Sequence, residues 1–278
     1  MRTNKFRRIC TDTAIIIIIL IVNLTPLVWA FLTSFKTERE INSYPIKIIN
    51  FNYTLENYFY VYGNRFLEAF TNSILYSLAA IIICVLLASM ASYAFSRYKT
   101  RLMNFLFYLV VLGIPLSIGS SALIIPNYTF FAKFGIINKF YTLPLVYIAY
   151  NLPMAIWITL GGIRMIPYEI EEAAIIDGSS RAYIIFNMIP RLNKPALACA
   201  ALFVFIGSWN EFIVSAVLIN SPRYRAIQVA VYEFMGYFGL QWGPLMASTT
   251  LALIPIIILF SFLGRQLISG LTAGATKG

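Results

Sequence analysis

The sequence contains no histidine. That removes Ser-His and Cys-His nucleophilic pairs and every metal site built on imidazole. Cysteine is scarce: Cys10, Cys84 and Cys199 lack the spacing of metal ligands, and Cys84 and Cys199 fall in or beside apolar runs, where they read as packing residues. No GxxxxGK[ST] loop occurs, so this chain does not itself hold a nucleotide by a P-loop. Charge is scarce too. Only 12% of the 278 residues are Asp, Glu, Lys or Arg, about half the share usual in a soluble domain. The net charge of +10 sits in short loops, where it sets membrane topology, and no basic stripe with interleaved aromatics is present. No nucleic-acid partner is expected.

What is abundant is hydrocarbon. Hydrophobic residues make up 60% of the chain, in continuous runs long enough to cross roughly 30 Å of lipid. A spanning segment must satisfy its own backbone, and continuous rather than alternating apolar runs select helices over a barrel. The expectation is an all-α membrane protein of six transmembrane helices, at about 14–35, 73–95, 104–125, 142–163, 196–219 and 245–263, forming one membrane domain over 1–278. The first run follows a basic start (Arg2, Lys5, Arg7, Arg8). It is longer than a signal-peptide core and ends in aromatics, so it reads as an uncleaved span. Residues 36–70, 126–141 and 220–244 read as loops. Ala88, Ser92 and Ser96 recur every four residues in the second span. Such a small-residue stripe admits a close helix, from this chain or from another subunit. Arg97, Lys99 and Arg101 make the clearest basic loop, and the positive-inside rule then places both termini and the 164–195 segment in the cytoplasm.

That segment is polar amid grease: Glu169, Glu171, Glu172 and Asp177 against Arg164, Arg181, Arg191 and Lys194. Pro167 suits a helix start, and the acids that follow suit its dipole. Ile170, Ala173, Ala174 and Asp177 share one mostly small face. Gly178 stands where a helix ends with positive φ. Ser179 or Ser180 can cap a second helix, which Pro190 is expected to end. On these grounds alone the segment is either an amphipathic hairpin lying on the membrane or a stiff protrusion that grips a partner.

The run Glu172-Ala173-Ala174-x-x-Asp177-Gly178, with Phe186, Pro190 and Pro195 behind it, resembles the EAA loop of binding-protein-dependent ABC importer permeases. The Asn72-Ser73 entry to span two resembles members of that family, and Trp209-Asn210-Glu211-Phe212 in span five and the tail Gly270-Leu271-Thr272-Ala273-Gly274…Lys277-Gly278 resemble the MalG type of the carbohydrate-uptake group. The resemblance runs over essentially the whole chain. It implies a transport subunit rather than an enzyme, in a prokaryotic cell membrane. The implied partners are a second permease subunit, two cytoplasmic ATPases that bind ATP and Mg and dock on the EAA loop, an extracytoplasmic solute-binding protein, a sugar and membrane lipid. No cofactor is expected on this chain itself. Glu172, Ala173, Ala174, Asp177 and Gly178 become candidate ATPase-coupling residues, and the tail a candidate for reaching between the ATPases.

Polar residues inside spans suggest a pathway: Asn151 in span four, and Trp209, Asn210 and Glu211 in span five. An aromatic face with an amide and a carboxylate suits a sugar; the other reading is that Glu211 holds the bundle together. Alternatives in function are a permease for a polyol or glycerol phosphate, and a secondary transporter with Glu211 as its ion-coupling acid.

Overall fold

The computed structural model describes residues 2–48, 50–118, 123–236 and 240–272. Among these the secondary structure is helical throughout: α1 (Arg2–Thr33), α2 (Glu38–Ile41), α3 (Glu56–Gly63), α4 (Phe66–Arg97), α5 (Arg101–Ile118), α6 (Ile124–Lys133), α7 (Thr142–Ile163), α8 (Tyr168–Ile176), α9 (Arg181–Tyr183), a π-helical turn (Ile184–Met188), α10 (Ile189–Leu192), α11 (Lys194–Trp209), α12 (Ile213–Leu218), a 3₁₀ turn (Pro222–Tyr224), α13 (Ile227–Glu233) and α14 (Trp242–Thr272). Residues 273–278, most of the singled-out tail, lie outside the described residues.

Among the described residues, four helices are long and apolar enough to cross a bilayer: Asp12–Thr33, Phe66–Arg97, Thr142–Ile163 and Trp242–Gly264. The other two expected spans look different. Of the third, 104–118 lies in α5, whose apolar part, Arg101–Pro115, is shorter, and 119–122 lie outside the described residues; 126–141 is not all loop, because α6 occupies its first half. The expected span at 196–219 is not one helix. It breaks after Trp209 and resumes at Ile213, and α11 meets the Arg181–Leu192 segment before it at a 79° bend. The 220–244 segment likewise carries α13.

The chain divides into two compact units, Met1–Phe66 with Val231–Ile254, and Leu67–Ala230 with Pro255–Gly278. In the first, the segment after α1 is held by buried polar groups. The Lys36 ammonium donates to the Lys47 carbonyl at 2.6 Å and lies over the Trp29 and Phe51 rings at 4.8 and 4.9 Å. Burial lowers its pKa, and nearby Glu40 partly restores it. The Asn52 backbone N–H, 3.1 Å from the Glu40 carboxylate, holds that acid below the usual range. Asn57 donates to the Ser34 and Lys36 carbonyls at 2.8 Å each.

The second unit is organised by the α7–α11 contact. On α7, Asn151 Oδ1 occupies the space a Cβ at Gly207 of α11 would need; at the other end, the Asn193 side chain and Ala196 occupy the space a Cβ at Gly162 of α7 would need. Asn193 also donates to the Thr159 carbonyl at 3.1 Å. Each helix thus meets a glycine of the other with an asparagine, and the two antiparallel helices approach closely enough for small residues such as Ala155 and Ala200 to pack between them. Helix α4 lays Tyr76, Ala80, Cys84 and Ala88 against the same core. Ser92 donates to the Ile156 carbonyl of α7 at 2.9 Å. The small-residue stripe therefore packs within the chain at Ala88 and Ser92.

At its start, α4 holds the segment before α13. Asn72 donates to the Arg223 and Arg225 carbonyls at 2.8 and 3.2 Å, Ser73 accepts from Ile227 N–H at 2.7 Å, and the Tyr76 hydroxyl donates to the Tyr224 carbonyl at 3.0 Å. This is the physical use of the Asn72-Ser73 pair.

The clasp predicts that Gly207→Ala destabilises the protein by roughly 1–3 kcal/mol through overpacking, and that adding Asn151→Ala restores part of the loss. Thermal unfolding read by thiol labelling measures it directly, since Cys84 and Cys199 are buried and free. Equal midpoints for wild type and Gly207→Ala would show that the contact is not tight.

Candidate functional site

The 164–195 segment forms an elbow between α7 and α11. Helix α8 starts at Tyr168 with extended Pro167 before it (φ −57°, ψ 140°). Its end is a Schellman arrangement: Ser179 N–H bonds the Ala174 carbonyl at 2.9 Å and Gly178 N–H bonds Ile175 at 3.0 Å. Gly178 has φ +85°, a conformation that costs any residue with a Cβ. Ser180 then caps the second helix, its hydroxyl accepting from Tyr183 N–H at 3.2 Å.

Pro190 does not end that helix. It lacks the N–H that Phe186 would bond, and the chain widens just upstream, with Ile189 N–H reaching five residues back to Ile184. The helix runs on to Leu192, and the turn into α11 falls at Asn193. Ile163, Ile166, Ile184 and Ile189 are buried together and form the elbow's apolar root.

On α8, Glu172, Ala173 and Asp177 are exposed and Ala174 is half-buried against that root. The neighbouring acid behaves differently. Glu171 is only 2% exposed and pairs with Arg97 at the end of α4: Arg97 Nε donates to Oε1 at 2.7 Å and Nη2 completes the ion pair. The Tyr93 hydroxyl donates to Oε2 at 3.0 Å, and Arg97 Nη2 also donates to the Ile166 carbonyl at 3.1 Å. This pairing was not legible in the sequence, where Glu171 is one of three acids in a row of helix and Arg97 is one of three loop bases.

A second site is a cavity of about 650 Å³ lined by α5, α7, α11 and the break before α12. Asn151, Asn210 and Glu211 face it together with Tyr147, Tyr150, Phe203 and Phe212. Trp209 does not. It is 1% exposed, stacked on Phe205 at 5.3 Å and edge-on to Phe70 at 5.7 Å, so the bundle uses the ring that the sequence suggested for a sugar. Asn151 donates to the Tyr147 carbonyl at 2.7 Å. Glu211 accepts from the N–H groups of Val214 and Ser215, at 2.8 and 3.0 Å, one on each carboxylate oxygen. Neither sequence reading of Glu211 described this: the acid restarts a broken helix by capping its free N–H groups. The Tyr147 hydroxyl is buried beside the cavity and has no hydrogen-bond partner among the described residues. Tyr150 accepts from Asn127 of α6. The tyrosines carried no sequence signal, because aromatics are common in spans. Among the described residues no group of His, Cys, Asp or Glu could hold a metal ion.

The elbow, the broken fifth segment and the residues between them fall within the region that matches one family, binding-protein-dependent transport system inner membrane component, over residues 80–272. The chain belongs to that family. It is a multi-pass membrane permease of the ABC importer class. The chain is similar to the trehalose/maltose transport system permease protein MalG of Thermococcus litoralis, 33% identical over all of both chains. It is also similar to the maltodextrin transport system permease protein MdxG of Bacillus subtilis, 31% identical over 77% of this chain and 76% of that one. The diacetylchitobiose uptake system permease protein DasC of Streptomyces coelicolor is 29% identical over all of both. Among solved structures, a chain of a bacterial ABC transporter involved in the import of the acidic polysaccharide alginate matches with a TM-score of 0.79 and 18% identity, over 96% of this chain and 98% of that one. At that identity the likeness establishes the fold.

For a permease of this family the geometry at Gly178 makes a sharp prediction. A Cβ there meets open space, so the cost of Gly178→Val is backbone strain alone, roughly 1–2 kcal/mol. Gly178→Val should leave the subunit in the membrane yet uncouple ATP hydrolysis from uptake in reconstituted transporters. Gly178→Asn, which tolerates positive φ, should keep most of the coupling. Unchanged stimulated ATPase and uptake in the valine variant would sink the assignment.

Proposed function

We propose that this permease is the MalG-like half of a sugar importer, with six spans, both termini and the elbow in the cytoplasm, in a prokaryotic plasma membrane. A distinct second permease completes the pathway, two ATPase subunits carrying ATP and Mg dock on the elbow, and an extracytoplasmic binding protein delivers the solute. The observation that carries the coupling role is the elbow itself: a helix with a fixed end, an exposed Glu172-Ala173 edge and a glycine bend, raised on two clasped helices. Small exposed side chains admit close docking, Glu172 offers a carboxylate to the docking groove, and Asp177 and Gly178 set the angle. When the ATPases close, the elbow moves with them and biases the pathway between its two facings.

The sugar class rests on relatives named for trehalose, maltose, maltodextrin and diacetylchitobiose, and the cavity is chemically compatible. It offers two amides and aromatic faces, groups that suit the hydroxyls and apolar ring face of a neutral saccharide. Both Glu211 oxygens are committed to backbone N–H groups, so this acid serves the break in the helix. That commitment also argues against a secondary transporter that cycles an ion on Glu211.

The test is a thermal-shift screen of the cognate binding protein against disaccharides, oligosaccharides, polyols and glycerol phosphate. Stabilisation by a di- or oligosaccharide, followed by ATP-dependent uptake of that compound in proteoliposomes, is expected. Stabilisation by glycerol phosphate or a polyol alone, or uptake driven by a proton gradient without ATP, would overturn the reading.

A further inference from the structure

Helix α8 buries one side chain almost completely, and that side chain is a carboxylate. Its apolar residues Ile170, Ile175 and Ile176 are 41%, 46% and 85% exposed, whereas Glu171 is 2% exposed. Beyond the contact of Ala174 with the isoleucine root, the hold on α8 is therefore polar. Every bond that Glu171 makes runs to α4, through Arg97 and Tyr93. Arg97 in turn bonds the Ile166 carbonyl just before α8, and its guanidinium lies 5.5 Å from the Tyr168 ring centre. Such a pair is directional. It fixes an angle, and removing one partner strands the other in a buried place.

The far end of α4 makes the complementary connection. Asn72, Ser73 and Tyr76 bond the 223–227 segment, while Cys84, Ala88 and Ser92 pack on α7 in between. From Asn72 to Arg97 an α-helix rises about 37 Å at 1.5 Å per residue. One continuous helix thus holds the elbow at one end and the segment between α12 and α13 at the other.

We propose that Arg97, Glu171 and Tyr93 are positioning residues that make the elbow, α4 and the 223–227 segment one rigid body, so that a tilt imposed at the elbow is delivered across the membrane through α4. This rests on the elbow being the ATPase contact. Glu172, one residue on, faces outward to the partner; Glu171 faces inward and ties the elbow to the beam. The two adjacent acids have opposite tasks because they stand about 100° apart around the helix.

The test is a pair of spin labels at Ile176 and Arg223, both exposed, in the whole transporter on a Cys10→Ser background. Distances are compared without nucleotide and after trapping with MgATP and vanadate. In the otherwise wild-type protein one narrow distance should persist in both states. In Glu171→Gln the distribution should broaden in the free state and gain a population displaced by roughly one helical turn, about 5 Å, on trapping, with ATPase subunits still bound. The reciprocal swap, Arg97→Glu with Glu171→Arg, should restore the single distance. A wild-type distance that itself shifts on trapping, or a Glu171→Gln distribution that stays at the wild-type value in both states, overturns the proposal. If Glu171→Gln fails to assemble, the swap decides, supporting the brace when one conserved distance returns and overturning it when the swapped complex assembles with a displaced one. Copurification of ATPase subunits with Glu172→Ala separates the underlying reading. Full retention there removes the elbow as the docking contact, while the nucleotide-free distances of Glu171→Gln still test the brace.

Discussion

The close approach of α7 and α11 is the constraint on which the second unit depends. In lipid, helices gain little from burying hydrocarbon against each other, so they associate where backbones come near enough for dispersion and polar contacts. Gly207 and Gly162 supply the space; Asn151 and Asn193 fill it from the opposite helix. The two clasped helices are joined by the elbow, and residues of both line the cavity. Substituting either glycine would disturb the elbow's footing and the cavity together.

Upon that pair the polar groups are distributed economically. Glu211 caps a helix restart, Asn193 turns the chain into α11, Asn72 and Ser73 hold a loop, and Glu171 with Arg97 fixes α8. Each would be costly in hydrocarbon if left alone, and each has its partners. Tyr147 differs, with its buried hydroxyl unmatched beside the cavity.

Within the elbow, the residues that carry the resemblance and those that carry the bonds are different. The EAA run draws attention to Glu172, Ala173 and Ala174, which lie at or near the surface. The bonds inside the chain belong to Glu171, immediately before that run. Two adjacent acids thus differ in surroundings, Glu172 exposed and Glu171 buried and paired.

Much of the architecture was legible from local rules. Run length and continuity were enough for membrane-spanning helices. Pro167, Gly178 and the Ser179-Ser180 pair marked the ends of the elbow helices, because cap and turn preferences depend on a few consecutive backbone angles. What local rules could not reveal was which side chains meet across long separations. The partners Arg97 and Glu171 are 74 residues apart, and the choice of Glu171 over Glu172 as the buried acid follows from how α8 rotates against α4. The break at 210–212 was hidden in an apolar stretch, since its signal is the use Glu211 makes of N–H groups three and four residues ahead. Trp209 looked like a ligand-facing ring because it sits beside polar residues in sequence; packing against Phe205 and Phe70 turned it inward. The sequence alone determined that this is a helical membrane protein, because run length and composition suffice for that, and the resemblance of the 172–178 run pointed to the permease family. Tertiary structure alone decided which acid braces, which acid caps and which groups line the cavity, because those depend on helix rotation and close approach, which no short stretch of chain contains.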